Sequence, residues 1–370
     1  MGQPPRAVNP LCDLGTCPFR HADAFFRGRY DGAVHKVIVI GATGVVGREL
    51  LDRLEARGFP VASLRLFASA SSVGQMVDFR GESISLEAME PEVFSDADLA
   101  FFCAGRSASE AMAGEAVARG CTVIDNSSAF RADPDCPLVV PEINGHTLAD
   151  FAGPGIIANP NCSTIITLMV ASPLRSLGRI VRLTACTYQA VSGAGREAMD
   201  ELESQARSWC RGEPLPQDVL GHQALFNCFS HESPIGEDGM NSEERKMQVE
   251  TRRIWEDSEV GVSATCVRVP VPRAHSVALH LEFDQSVDPA KAEAILAEAD
   301  GVRLHPDPQP VHATGREEVL VGRIRRDHGV PGNRGLAMFI SGDQLLKGAA
   351  LNAVQIAEQL HAGHPASSPH

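Results

Sequence analysis

The patterned part of the chain begins at His35-Lys36-Val37-Ile38-Val39-Ile40, a continuous apolar run of the kind that builds a strand buried on both faces of a parallel sheet. A glycine turn, residues 41–47, follows it, and helical spacing then runs from Arg48 to Arg57. Short apolar runs and helical patterns go on alternating. Leu64 to Ala68, Asp98 to Ala104, Cys121 to Asp125 and Gly155 to Ala158 read as strands, and Ser109 to Arg119 and Thr164 to Leu177 as helices. That alternation predicts an α/β unit wound around a parallel sheet. Beyond it the rhythm changes. Ile180 to Ala190 is a long strand-like run, a polar helix comes next, and residues 211–241, rich in Pro, Gly, His and Asn, read as irregular connection. Ser242 to Trp255 has helical spacing, with Ser242 as the expected N-cap. Val262 to Val269, Val277 to Phe283, Val319 to Arg325 and Gly335 to Ser341 read as strands, and an amphipathic helix closes the pattern at Leu360.

The pattern predicts a Rossmann-type doubly wound dinucleotide-binding domain, residues 35–160 completed by 345–361. An α+β mixed-sheet catalytic domain, residues 161–344, is expected beside it. Residues 1–34 show neither helical nor strand periodicity and read as a disordered leader; residues 362–370 read as a disordered tail. A length of 370 residues agrees with two domains. The formal net charge is −14 and no basic cluster stands out, which argues against a nucleic-acid partner. No uninterrupted apolar stretch reaches the about 18 residues a membrane helix needs, and the N-terminus lacks the pattern of a secretory signal. The ten cysteines are scattered, several within apolar runs, which suits reduced thiols in a cytoplasmic enzyme and offers no metal-ligand spacing.

Three stretches carry candidate chemistry. Gly41, Gly44 and Gly47 lie in a GxxGxxG turn between a strand and a helix, the context in which such glycines cradle a pyrophosphate. After the second strand no acidic residue is present to meet a ribose; Ser71 and Ser72 offer hydroxyls instead, which leans toward NADP and leaves NAD possible. Asn159-Pro160-Asn161-Cys162-Ser163-Thr164 reads as a turn into a helix, which would put Cys162 at a helix N-terminus where a thiolate is favoured. Arg131 follows a strand end and is placed to hold an anion. Glu243 and Lys246 are three apart on one helical face. Arg268 lies inside an apolar run, where a guanidinium needs a carboxylate partner, and His275 sits where one strand turns into the next.

The ordered series GATGVVG, IDNSSAFR, VVPEIN, NPNCST, TYQAVSGAG, EERKM, CVRVPVPRAHS and KGAALNAVQIAE, spread over residues 36–360, resembles the aspartate-semialdehyde dehydrogenases. The resemblance implies a reversible, NADP-dependent reductive dephosphorylation of L-4-aspartyl phosphate, and a homodimer or homotetramer. It implies Cys162 as nucleophile, His275 as acid/base and Gln189 as the residue that orients thioester or substrate. It further implies Arg131 and Lys246 as phosphate binders, Arg268 as the clamp on the substrate carboxylate, and Glu243 as the contact to its amino group. Thr43, Val45, Val46, Ser192, Gly193 and Gln344 join the three glycines and two serines as cofactor contacts. Ser71 stands where many members carry Arg, Gln344 where Asn is frequent, and Arg106 and Ala274 where Gly is frequent. Two rival readings are N-acetyl-glutamyl-phosphate reductase and an inactive paralogue acting as a structural partner. The first is disfavoured because Asn161-Cys162-Ser163-Thr164 replaces its G-C-Y-P-T loop, the second because every catalytic side chain is present.

Overall fold

The computed structural model describes residues 34–363 apart from residue 152; the expected leader, but for Val34, and residues 364–370 of the expected tail lie outside the described residues. Two seven-stranded sheets organise it. The first holds β1 (His35–Ile40), β2 (Val61–Phe67), β3 (Met76–Phe79), β4 (Glu82–Glu87), β5 (Leu99–Phe102), β6 (Thr122–Asp125) and β7 (Ile156–Ala158). Their order is β3-β4-β2-β1-β5-β6-β7, with every pairing parallel except β3 with β4. Helix α1 (Val45–Ala56) lies on one face and α2 (Arg106–Ala118) on the other. The β3–β4 hairpin was not foreseen, although Ser83-Ile84-Ser85-Leu86 alternate between polar and apolar.

A short helix, α3 (Pro141–Asn144), precedes β7, and α4 (Cys162–Ala171) follows it. Helix α4 is shorter than its apolar run because Pro173 supplies no N–H and the chain passes into a 3₁₀ turn, Pro173–Leu177. The second sheet then holds β8 (Ile180–Gln189), β9 (Phe229–Ser230), β10 (Gly261–Arg268), β11 (His275–Phe283), β12 (Val302–Leu304), β13 (Val319–Arg326) and β14 (Gly335–Gly342). It is mixed: β8 runs parallel to β10 and antiparallel to β11.

Helices α5 (Arg196–Arg211), α6 (Ser242–Trp255), α7 (Pro289–Ala297) and α8 (Pro310–Ala313) lie between these strands. Helices α4, α6 and α7 bury one face of the second sheet. The N-cap of α6 is Asn241, one residue earlier than expected. Its extended backbone lets Oδ1 accept from the Glu244 amide at 2.9 Å, and Glu244 accepts the Asn241 amide in return at 2.9 Å. Helix α7, starting at an Asp288 cap and Pro289, was not foreseen.

Helix α9 (Leu351–Gly363) returns to the first sheet and places Ala353, Val354, Ile356 and Ala357 in its core; it runs past residue 361, where the tail was expected to begin. Just before it, a π-turn at Leu346–Ala350 carries buried Lys347, whose ammonium donates to Glu142 at 2.5 Å, Asn352 at 2.8 Å and Gln355 at 2.7 Å. A buried ammonium needs such a full set of acceptors. Among the described residues no helix is long and apolar enough to cross a membrane.

The turn after β1 is packed so closely that side chains are excluded. A Cβ on Gly47 would sit 2.2 Å from the Gly41 carbonyl oxygen and 2.9 Å from the Ala42 Cα. Both obstacles are backbone, so Gly47→Ala is expected to destabilise by about 1–3 kcal/mol and to weaken dinucleotide binding. Thermal unfolding and cofactor titration of the variant check this; wild-type values in both would show that the turn has slack.

Candidate active site

Alternation along the strands brings the site together. In β8 the residues Leu183, Ala185, Thr187 and Gln189 are buried on the face covered by α4 and α6. Arg268 pairs in register with Gln189, so both point to that face at the ends of their strands. Ser276 pairs with Tyr188, which sets His275 beside Gln189 from the other side. The row Arg268, Gln189, His275 therefore lines the edge where the second sheet meets α4 and α6.

Cys162 is the first residue of α4, and Asn161 is its cap. Asn161 Oδ1 accepts the Ser163 and Thr164 amides at 3.0 and 3.2 Å, while Nδ2 donates to Glu243 at 2.6 Å and the backbone N–H donates to Glu250 at 2.6 Å. On α6, Glu243 also accepts Lys246 at 2.8 Å, and Gln189 Nε2 lies 3.5 Å from Glu243. Arg131 is held by the carbonyls of Asn159 and Asn126, at 2.8 and 2.9 Å, with Glu250 3.5 Å from its Nη1. Sequence reading missed Glu250, whose signal was its i, i+7 spacing from Glu243 on one face of α6. It also missed His231 and Glu232, which lie in the stretch read as irregular connection.

The surroundings of Cys162 act on its thiol in opposite directions. Burial, then the charge of Glu243, pushes the Cys162 thiol up to about 11, against the opposing pull of Arg131 and Lys246. The amides of Ser163 and Thr164 are already bonded to Asn161, so they are not free to stabilise sulfur. A Cβ on Gly348 would come within 2.9 Å of the Cys162 Cβ, so the π-turn limits where the Cys162 side chain can sit. Burial, then Arg268, lowers His275 to about 3, and it is neutral at pH 7. Its Nδ1 accepts the Ala190 amide at 3.0 Å, which assigns the ring proton to Nε2. Nε2 is buried with no hydrogen-bond partner among the described residues. It lies beside Gly193, where an added Cβ would be 3.4 Å away. The arrangement presents an N–H donor, ready for an oxyanion. Burial opposes charge on Glu243, yet Lys246, His231 and Asn161 together bring its carboxyl down to about 2.

At the other end of the site, Gly41 has φ +83° and a Cβ there would meet the Cys103 carbonyl at 2.7 Å. The first bond of α1 runs from the Arg48 amide to the Gly44 carbonyl at 3.0 Å, so the amides of Val45, Val46 and Gly47 precede it and face the cradle. That donor set fits a pyrophosphate. Thr43 lies in the same turn; Ser71 and Ser72 sit in a short 3₁₀ turn after β2. Gln344 is held by two hydrogen bonds within the protein. Its Oε1 accepts the Ala274 amide at 2.9 Å and its Nε2 donates to Ser192, so both ends of the amide tie the His275 loop to the Ser192–Gly193 turn. Ala274 takes φ +71°, a conformation natural to glycine, so this tie holds a strained residue in place.

A family model for the semialdehyde dehydrogenase NAD binding domain matches residues 36–151, and one for the semialdehyde dehydrogenase dimerisation domain matches residues 172–347. The chain is 45% identical over 334 residues to the aspartate-semialdehyde dehydrogenase of Aquifex aeolicus (strain VF5), covering 88% of this chain and 98% of that protein. This chain belongs to the aspartate-semialdehyde dehydrogenase family. The Bacillus subtilis (strain 168) member is 42% identical over 340 residues, covering 88% of this chain and 96% of that protein. The Vibrio cholerae aspartate semialdehyde dehydrogenase II, solved in complex with ASA, superposes with a TM-score of 0.86 at 39% identity, over 89% of this chain and 98% of that one. As a member of the family this chain is an NAD(P)-dependent oxidoreductase with a dimerisation domain.

A thiol raised to about 11 leaves only about one part in ten thousand as thiolate at pH 7. Alkylation of Cys162 by iodoacetamide in the substrate-free protein is therefore expected to speed up with each pH unit from 7 to 10, and to be faster in Glu243→Gln at fixed pH. Mass spectrometry of the Cys162 peptide checks this; a plateau below pH 8 would mean that the thiolate is already formed.

Proposed function

We propose that this chain catalyses the reversible NADP-dependent conversion of L-4-aspartyl phosphate to L-aspartate 4-semialdehyde and phosphate, through a thioester on Cys162. What supports this reading is that Gln189 lies in register with Arg268 and beside His275, and that Glu243 reaches both Gln189 and Asn161, the cap next to Cys162, with Arg131 and Lys246 close enough to act on the thiol. In the biosynthetic direction the Cys162 sulfur attacks the acyl carbon, the bond from that carbon to the phosphate oxygen breaks, and the thiol proton ends on the departing phosphate. The departing phosphate oxygens take the charge of Arg131 and Lys246, and Gln189 orients the acyl group. The cofactor, cradled by Gly41, Thr43, Gly44, Val45, Val46 and Gly47 with Ser71, Ser72, Ser192–Gly193 and Gln344 along its path, supplies hydride when bound. His275 Nε2–H donates a hydrogen bond to the hemithioacetal oxyanion; when that oxygen re-forms the carbonyl the C–S bond breaks, and the expelled Cys162 sulfur takes a proton from water, which frees the aldehyde and restores the thiol. Arg268 holds the substrate α-carboxylate and Glu243 its ammonium, so the α-carbon is fixed at two points.

The same reading assigns residues 35–160 with 345–361 to dinucleotide binding and 161–344 to catalysis and dimerisation. It includes a homodimer or homotetramer formed through the open face of the second sheet, where Tyr188 and Phe339 stand 6.2 Å apart. It also includes a cytoplasmic location, in keeping with the free cysteines among the described residues.

A spectrophotometric assay with L-aspartate 4-semialdehyde tests the reaction: NADP reduction should require phosphate. Reduction that ignores phosphate, or its absence with both NADP and NAD in folded protein, would overturn the reading. Cys162→Ala is expected to lose turnover by roughly 10⁴-fold or more while still binding NADP. Arg268→Ala is expected to lower kcat/KM for the semialdehyde by roughly a hundredfold; an unchanged value would remove it from the clamp.

A further inference from the structure

Arg268 is already occupied in the substrate-free protein. Its side chain is buried at the end of β10, and Nη1 donates to the Ala190 carbonyl at 2.7 Å. The opposite edge of the guanidinium is taken by one carboxylate: Nε donates to Glu232 Oε2 at 3.1 Å and Nη2 donates to Glu232 Oε1. Nη2 also meets His231 Nε2 at 3.0 Å. A guanidinium has five N–H donors, so these contacts leave a single one unspent. The Nε–Nη2 edge is the one that best receives a carboxylate in fork geometry, and Glu232 fills it. A substrate α-carboxylate therefore finds the clamp closed by a group of its own kind.

Glu232 is placed to leave. It lies in the irregular segment between β9 and α6, and its side chain is 26% exposed, whereas that of Arg268 is 1% exposed. Burial works against its charge, but the hydrogen bond and charge of Arg268 hold its carboxyl below the usual range. The pair thus satisfies a guanidinium that would be costly to bury alone.

We propose that Glu232 is a built-in occupant of the substrate-carboxylate clamp, which swings toward solvent when the α-carboxylate of the substrate binds Arg268, and that it thereby sets affinity and selectivity for α-carboxylate substrates. This rests on the assignment of Arg268 as the clamp. The apparent affinity of a site is its intrinsic affinity multiplied by the fraction of protein in which the site is open, so an internal occupant lowers it in proportion.

The test compares wild type with Glu232→Gln on two aldehydes, L-aspartate 4-semialdehyde and 3-aminopropanal, which lacks the carboxylate. Removing the charge of the occupant is expected to raise the ratio of kcat/KM for the first over the second by about threefold or more. It should also tighten the binding of unreactive L-aspartate, measured by calorimetry, to the same extent. A fall in both quantities would show instead that Glu232 orients Arg268 during turnover, and no change in either would show that it never competes; each result overturns the proposal. Arg268→Ala separates this failure from failure of the clamp itself. If that variant keeps wild-type selectivity between the two aldehydes, the clamp assignment falls and the role of Glu232 falls with it. If Arg268→Ala loses selectivity while Glu232→Gln gains none, only the present inference is wrong.

Discussion

Asn161 is the joint on which the site depends. Its side-chain oxygen caps α4, its side-chain amide holds Glu243, and its backbone N–H holds Glu250. One residue thus fixes the position of Cys162 beside it and ties the start of α4 to α6. Both helices must pack on the same face of the second sheet to bury Met169, Met247, Ile254 and the inward strand residues. The packing sets the spacing between helices, and the Asn161 contacts set their register along each other.

Around that joint the charges are balanced from within. Lys246 is paired with Glu243, Arg131 lies against Glu250, and Arg268 is paired with Glu232. Each cation assigned to an anionic part of the substrate has an internal carboxylate for company. Buried charge without a partner is strongly unfavourable, so a site built to receive a doubly anionic substrate needs such stand-ins while it waits. The same balance explains the chemistry of Cys162: with Lys246 shared with Glu243, too little positive charge remains to offset burial of the thiol.

The order of motifs and the period of the strands made much of this legible in advance. Val37 to Ile40, Leu99 to Phe102 and Val123 to Ile124 are apolar on both faces, and they form the parallel strands of the first sheet. Gly41, Gly44 and Gly47 were readable from their spacing between strand and helix, and at Gly41 and Gly47 the backbone leaves no room for a side chain. What escaped was a cap shifted by one residue and a set of contacts distant in the chain. Asn241 rather than Ser242 caps α6 because its side chain reaches the third amide. Gln344 turned out to brace Ala274 and Ser192, partners 70 and 152 residues away.

By itself the sequence determined the two sheets, the glycine cradle and the set of side chains available for chemistry, since each follows from local period, turn residues and residue type. Only the tertiary structure decided their states. Burial and Glu243 raise the Cys162 thiol, burial and Arg268 keep His275 neutral with its proton on Nε2, and Glu232 closes on Arg268. Protonation and pairing depend on burial and on neighbours brought close in space, and neither is written in the spacing of residues along the chain.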